Sequence, residues 1–129
     1  METLLILDTD VLVELERGSA DALHWLNSLP QPSQICILTA MEIKFGSRSF
    51  AHLRTIEALL APFSVVIPTD KDWSRAVNEY PRLWLSGGLG LVDAIIASTV
   101  MGLDEELITF NEKHFRNIAG LKVRKPYPR

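Results

Sequence analysis

The feature that most restricts the fold lies near the start of the chain, where Leu4-Leu5-Ile6-Leu7 runs without a break into Asp8-Thr9-Asp10. An unbroken apolar run of this length suits a strand covered on both faces, as in parallel α/β sheets, and not the alternation of a strand with one wet face. Asp8 then stands at the carboxyl end of that strand, the edge at which open α/β sheets bind ligands. The same residues allow a structural role. An Asp after a strand often caps the next helix, and Asp10, just before Val11-Leu12-Val13-Glu14-Leu15, is placed to do so. The two readings separate on whether further acids reach the same edge.

Beyond that strand, Val11 to Glu16 reads as a short helix stopped by Gly18, and Ser19 caps a second helix to about Ser28 with Leu23, Trp25 and Leu26 as its buried stripe. His24 on this helix has no partner at metal-ligand spacing. Gln34 to Leu38 is a second strand, after which Thr39 caps the helix Ala40 to Gly46, with Met41 and Phe45 toward the core and Glu42 in the first turn. Phe50 to Leu60 is helical, Phe63 to Ile67 a third strand, and Thr69 or Asp70 caps a long helix that Pro81 divides. Gly87, Gly88 and Gly90 precede the next helix; with no strand before them they form only a weak phosphate-loop signal.

Leu91 to Met101 is apolar on nearly every side and is expected as a buried helix ended by Gly102. Asp93 stands out in that company, because an ionised carboxylate among such neighbours needs a partner. Glu106 to Thr109 is a fourth strand, Asn111 begins a short helix carrying His114 and Phe115, and Leu121 to Arg124 is a final edge strand. Asp104-Glu105-Glu106 reads as a solvated turn.

The expected architecture is therefore α/β: a single domain over residues 1–129 with a central, mostly parallel sheet of four to five strands flanked by helices. A hydrophobic fraction of 47% is that of a folded domain, no apolar run reaches membrane-spanning length, and no signal-peptide pattern opens the chain. The single Cys36 excludes an internal disulfide and, with these features, favours a cytoplasmic setting. A net charge of -3 argues against a generic basic nucleic-acid binder. The charges are nonetheless segregated: Lys113, Arg116, Lys122, Arg124, Lys125 and Arg129 close the chain without an acid, and all 16 acids precede them. Such a tail suits phosphate contacts, or equally a solvated terminus.

Asp8, Glu42 and Asp93 each fall near a strand end or helix start, and Thr109-Phe110-Asn111 occupies the same kind of junction. In a parallel sheet these junctions share one edge. Clustered carboxylates repel one another and are tolerated chiefly when a divalent cation offsets them. Oxygen donors favour Mg²⁺ or Mn²⁺ over zinc, and His24, His52 and His114 lack zinc-ligand spacing.

At this level of pattern the chain resembles the PIN-domain family, most closely its VapC-like ribonuclease toxins from toxin–antitoxin pairs. The motifs are Leu7-Asp8-Thr9-Asp10-Val11-Leu12, Thr39-Ala40-Met41-Glu42-Ile43-Lys44-Phe45-Gly46, Leu91-Val92-Asp93-Ala94-Ile95-Ile96-Ala97 and Thr109-Phe110-Asn111-Glu112-Lys113-His114-Phe115. They span almost the whole chain in the family's order. The resemblance implies an Mg²⁺- or Mn²⁺-dependent endoribonuclease hydrolysing RNA to 5′-phosphate and 3′-hydroxyl ends, a homodimer, and an antitoxin partner. It assigns Asp8, Glu42 and Asp93 as catalytic metal-binding acids, with Thr9, Asp10, Thr109 and Asn111 in support. His114 stands where relatives often carry a fourth acid, and Asp10 where they frequently carry Asn. Lys44, Arg48, Lys113 and Arg116 are candidates for RNA backbone contacts, and Phe50, Leu53, Trp84 and Leu85 serve either partner contacts or the core. Two rivals remain, an inactive PIN-like interaction module and a receiver-like phosphoacceptor domain. The receiver would want an acceptor Asp at the end of the third strand, where this chain has Pro68-Thr69.

Overall fold

A computed structural model describes residues 4–129; the first three positions of the expected domain lie outside the described residues. Strands β1 (Leu5–Leu7), β2 (Gln34–Cys36), β3 (Ser64–Val66), β4 (Glu106–Ile108) and β5 (Lys122–Arg124) form one sheet in the order β3-β2-β1-β4-β5. Every pairing is parallel. The connecting helices are α1 (Thr9–Glu16), α2 (Ala20–Asn27), α3 (Ile37–Phe45), α4 (Phe50–Leu60), α5 (Asp70–Asn78), α6 (Pro81–Gly87), α7 (Leu91–Leu103) and α8 (Glu112–Phe115). No single helix among the described residues is long and apolar enough to cross a membrane.

Two cores explain the unbroken apolar strands. Ile6, Cys36 and Leu107 pack on one face with Ala94, Ile96, Ala97 and Val100 of α7. Leu7, Ile35 and Ile108, each adjacent in its strand to one of these, pack on the other with Val11 and Leu12 of α1, Ala40 and Ile43 of α3, and Ile56 and Leu60 of α4. Successive strand side chains alternate in direction, so a strand buried on both sides needs every residue apolar.

The chain enters at the middle of the sheet, works outward through β2 to β3, and returns through α5, α6 and α7 to lay β4 on the other side of β1. The strand order thus reverses between β1 and β4. Their carboxyl ends open the crevice in which sheets of this kind bind ligands.

Several local expectations shift. Asp8, not Asp10, caps α1: its carboxylate accepts from Thr9 N–H at 2.8 Å, and Asp10 sits in the first turn. The caps at Ser19 and Thr69 stand as read. In α2, however, Ala22 is the buried residue, Trp25 and Leu26 are half-buried, and Leu23 is exposed. Helix α3 begins at Ile37, directly off β2 and capped by Cys36, so Thr39 is a buried residue within it and Glu42 falls in its second turn. Its core side is Thr39, Ala40 and Ile43, whereas Met41 and Phe45 face outward. That helix carries apolar residues on more than one face, and periodicity alone does not select which stripe meets the sheet.

Gly102 does not stop α7, which ends at Asp104 in the left-handed region with φ +53°. The glycine is needed for packing. A Cβ there would lie 2.1 Å from Asp72 Oδ1. Asp72 is buried and fully engaged: it completes a capping box with Thr69, accepts from Arg75 at 3.1 Å, and its carbonyl accepts from Ser98 Oγ at 2.6 Å. Arg75 also donates to the Ser98 carbonyl at 2.8 Å, so α5 is clamped to α7. The Asp104 to Glu106 run is likewise not merely solvated. Glu106 takes a two-point contact from Arg124 of β5, and Lys122 pairs with Asp104 at 3.2 Å.

Replacing Gly102 by Ala is expected to force α5 and α7 apart. A loss of about 1–3 kcal/mol should appear as a lower urea midpoint at unchanged slope; an unchanged midpoint would mean that this contact yields freely.

Candidate active site

Asp8 ends β1 at the point where the sheet reverses order. Its backbone N–H donates to the Ile108 carbonyl of β4 at 2.9 Å, which fixes it beside Thr109. The Thr109 hydroxyl donates to Asp8 Oδ2 at 2.8 Å and itself accepts from Asn111 N–H at 3.1 Å. The hydroxyl is thereby turned toward the carboxylate. Thr9 N–H supplies the other oxygen, Oδ1. These bonds favour the ionised form, but burial outweighs them, and with Asp10 nearby it pushes the Asp8 pKa from the ordinary 3.8 up to about 7.

Asp10 reaches across to the β4–α8 junction, where one oxygen accepts from Phe110 N–H at 3.0 Å and lies 3.3 Å from Thr109 Oγ1. Its Oδ1 is buried without a hydrogen-bond partner. Burial raises its pKa, while those hydrogen bonds and the charge of Arg129 pull the other way.

Asp93 lies in the first turn of α7. A helix leading into a parallel strand starts at the sheet's carboxyl edge, so Asp93 comes to the edge that carries Asp8. Burial raises its pKa, His114 lowers it, and the charges of Glu42 and Asp10 raise it again. Glu42 projects from α3 and accepts from the Thr9 hydroxyl at 2.6 Å, which ties α3 to α1; Thr39 Oγ1 lies 3.4 Å from the same hydroxyl. The expected acids therefore act on one another electrostatically: Asp93 on Asp8, and Glu42 and Asp10 on Asp93. Among the described residues, no three His, Cys, Asp or Glu side chains form a ready-made metal cage.

The supporting residues divide. Thr9 donates to Asp8 and Glu42 and Thr109 donates to Asp8, whereas Asp10 lies against the Thr109 hydroxyl. Asn111 contributes its backbone N–H to Thr109, and its exposed side chain makes no capping bond. Lys44 and Arg48 are exposed at the end of α3 and beyond it. Lys113 and Arg116 are exposed beside the α8 end of the edge and line a cavity with Phe110, Asn111, Glu112 and Lys125. Residue-level reading missed two features. One is the Asp10 bridge to Phe110, which spans 100 residues and has no local signal. The other is the approach of His114, singled out in the sequence only as standing in place of a fourth acid, to Asp93: its Nδ1 lies 3.9 Å from Asp93 Oδ2.

A cavity of about 670 Å³ lies elsewhere, among Leu15, Leu23, Leu26, Leu59 and Phe63. It contains none of these acids, and its apolar lining suits contact with another chain better than catalysis. Phe50, Trp84 and Leu85 are also largely exposed and Leu53 is half-buried, so core packing does not account for the first three. No acid ends β3, which leads through Ile67-Pro68-Thr69 into α5, so the receiver-like arrangement is absent there.

A family model described as PIN domain matches residues 5–121. Ribonuclease VapC10 of Mycobacterium tuberculosis is 34% identical over 122 residues, covering 92% of this chain and 91% of that protein. A toxin–antitoxin complex from Klebsiella pneumoniae contains a chain that superposes with TM-score 0.78 at 30% identity, covering 97% of this chain and 99% of that one. VapBC2 of Rickettsia felis, solved bound to a DNA fragment from its promoter, superposes with TM-score 0.83 over 95% and 98% of the two chains. At 18% identity it attests the fold alone.

The raised pKa of Asp8 gives a pH dependence with a definite sign. Between about 4 and 7 the folded state holds the Asp8 proton more tightly than the unfolded chain, so stability is full below that window and falls as pH rises through it. At about 1.4 kcal/mol per unit of displacement, the loss amounts to a few kcal/mol. Urea titrations in EDTA at pH 5 and pH 8 should show this loss in the wild type and a much smaller one in Asp8→Asn; equal losses would contradict the assignment.

Proposed function

Since the chain belongs to the PIN domain family, we propose that it is an endoribonuclease whose Asp8, Glu42 and Asp93 hold a divalent Mg²⁺ or Mn²⁺ ion, and that it is the toxin of a toxin–antitoxin pair. The observation that carries the reading is the buried Asp8 carboxylate at the sheet's reversal point, in the field of Asp10 and Asp93 and with no cation among the described residues bonded to it. The donor set fits a hard divalent ion. All three side chains offer oxygen, each Asp8 oxygen accepts one hydrogen bond and retains further lone pairs, and the neighbouring Asp10 Oδ1 is buried without a partner. What such an ion supplies when bound is Lewis acidity, a more acidic water, and an offset to charge building on phosphate oxygens.

The chain's own residues do the rest. Thr109 and Thr9 hold the Asp8 carboxylate in one orientation, and Thr9 does the same for Glu42. The α5–α7 clamp fixes the helix that presents Asp93. Lys113, Arg116 and Lys125, which carry no ion pair among the described residues, are free to meet backbone phosphates beside the acids. Lys44 and Arg48 serve the α3 side. No histidine pair is arranged for metal-independent attack by the ribose 2′-hydroxyl: His52 is taken by Glu16, and His24 is exposed on α2.

The antitoxin partner is supported by the likeness to a chain of the Klebsiella pneumoniae complex at 30% identity. The apolar cavity around Leu23 and the exposed Phe50, Trp84 and Leu85 offer surface for that partner and for a second copy of this chain. The substrate on this reading is RNA in the cytoplasm.

Purified protein should cleave single-stranded RNA with Mg²⁺ or Mn²⁺, stop on EDTA, and leave 5′-phosphate ends. Asp8→Asn and Asp93→Asn should each fold and lose at least about a hundredfold in rate, as expected when a ligand or its orientation is lost. Cleavage that persists in EDTA, or full activity in both variants, would refute the reading.

A further inference from the structure

Three histidines occur in the chain, and two have evident employment or none near the acids. His52 accepts from Arg48 N–H through Nδ1 at 3.0 Å and meets Glu16 through Nε2, which links α4 to α1. His24 lies on the exposed side of α2. His114 differs: neither ring nitrogen makes a hydrogen bond among the described residues, and Nδ1 faces Asp93 Oδ2 at 3.9 Å.

The imidazole is held there by the backbone. The fully buried Phe115 anchors α8 in the core, and His114 N–H closes its first turn on the Asn111 carbonyl at 3.0 Å. The side chains of His114 and Asp93 remain 38% and 33% exposed, so the gap between them is open to an incoming species. A separation of 3.9 Å is too long for a hydrogen bond. It lies between the separations of two donors on one ion with bonds of about 2.1–2.2 Å, about 3 Å when adjacent and about 4.3 Å when opposite, so a shift of less than about 1 Å seats both.

We propose that His114 is a nitrogen ligand of the cation bound at Asp93, and that it makes this site prefer Mn²⁺ over Mg²⁺. The inference rests on the metal-dependent reading above and adds to it the identity of a donor and the direction of selectivity. Mg²⁺ is a hard ion that keeps water and carboxylate oxygens, whereas imidazole is a better ligand for first-row transition ions. A neutral nitrogen also adds a donor without adding charge to an edge already crowded with Asp8, Asp10, Glu42 and Asp93.

The test is pulsed electron paramagnetic resonance of the Mn²⁺-loaded full chain, with titration of Mn²⁺ and Mg²⁺ against wild type, His114→Asp, His114→Gln and Asp93→Asn. The wild type is expected to show directly bound ¹⁴N coupling that changes on ¹⁵N-histidine labelling and vanishes in both His114 variants. The ratio of Mn²⁺ to Mg²⁺ affinity should fall on the order of tenfold in His114→Asp. Mn²⁺ binding that depends on Asp93 but shows no nitrogen coupling, and no change of ratio in His114→Asp, would overturn the inference and leave the metal site standing. Mn²⁺ binding indifferent to Asp93→Asn would overturn both.

Discussion

A carboxylate buried at the reversal point of the sheet is the constraint on which the rest depends. Asp8 is 5% exposed, and removing an ionised group from water costs several kcal/mol unless something restores the lost solvation. The first amide of α1 and the Thr109 hydroxyl restore part of it. They also fix geometry, because each bond comes from a different segment: one from the helix that leaves β1, the other from the turn that leaves β4. Asp8 therefore joins the two strands between which the chain reverses direction. The junctions around it, Thr9 to Glu42 and Asp10 to Phe110, carry the same coupling outward to α3 and α8.

The treatment of other acids sharpens the contrast. Asp72 is as buried as Asp8 but has Arg75 and the Thr69 amide; Glu106 has Arg124, Glu14 has Arg129, Glu16 has His52, and exposed Asp104 has Lys122. These pairs stabilise and orient elements of the fold, and each is complete within the chain. Asp8 and Asp93 lie toward the carboxyl edge with burial and neighbouring negative charge against them, Asp10 and Asp93 for Asp8 and Glu42 and Asp10 for Asp93; among the described residues His114 stands opposite Asp93, at a distance that leaves room between. A fold selected for stability alone would gain by replacing such groups with apolar ones. Their placement at a topological switch point is what the proposed metal-holding role requires and what capping alone does not.

Much of this was legible in the sequence because the decisive signals are local. The run Leu4 to Leu7 predicted a strand covered on both sides, and two cores meet it there. Ser19, Thr69 and Pro81 marked helix starts by chemistry that acts within one turn. What was not legible depended on partners distant in the chain. Met41 and Phe45 satisfy the helical period as well as Ala40 and Ile43 do, and only the position of α3 over the sheet decides that the smaller stripe is buried. Gly102 read as a stop because glycine usually ends helices, but its role is set by Asp72 of α5 lying against it. The acids were visible as residues near junctions; that Asp8 takes the cap expected of Asp10, and that Asp10 instead holds the Phe110 amide, follows from the pairing of β1 with β4.

The segregated charge of the sequence acquires a physical meaning in the folded chain. Of the six closing cations, Lys122, Arg124 and Arg129 fold back onto Asp104, Glu106 and Glu14. Lys113, Arg116 and Lys125 are left around the cavity beside α8. An edge carrying Asp8, Asp10, Glu42 and Asp93 would by itself repel a polyanion, and the overall charge of -3 offers no general attraction to compensate. On the proposed reading the attraction is local: a divalent ion would reverse the sign at the acids, and three cations without an ion pair among the described residues would hold the phosphates that flank it. His114, on the same short helix as Lys113, stands at the boundary between these two regions: its Nδ1 lies 3.9 Å from Asp93 Oδ2, and the residue lines a cavity with Lys113 and Arg116. A neutral donor at that boundary adds to the hold on a cation without extending the negative field into the path of the phosphates, which a carboxylate in its place would do.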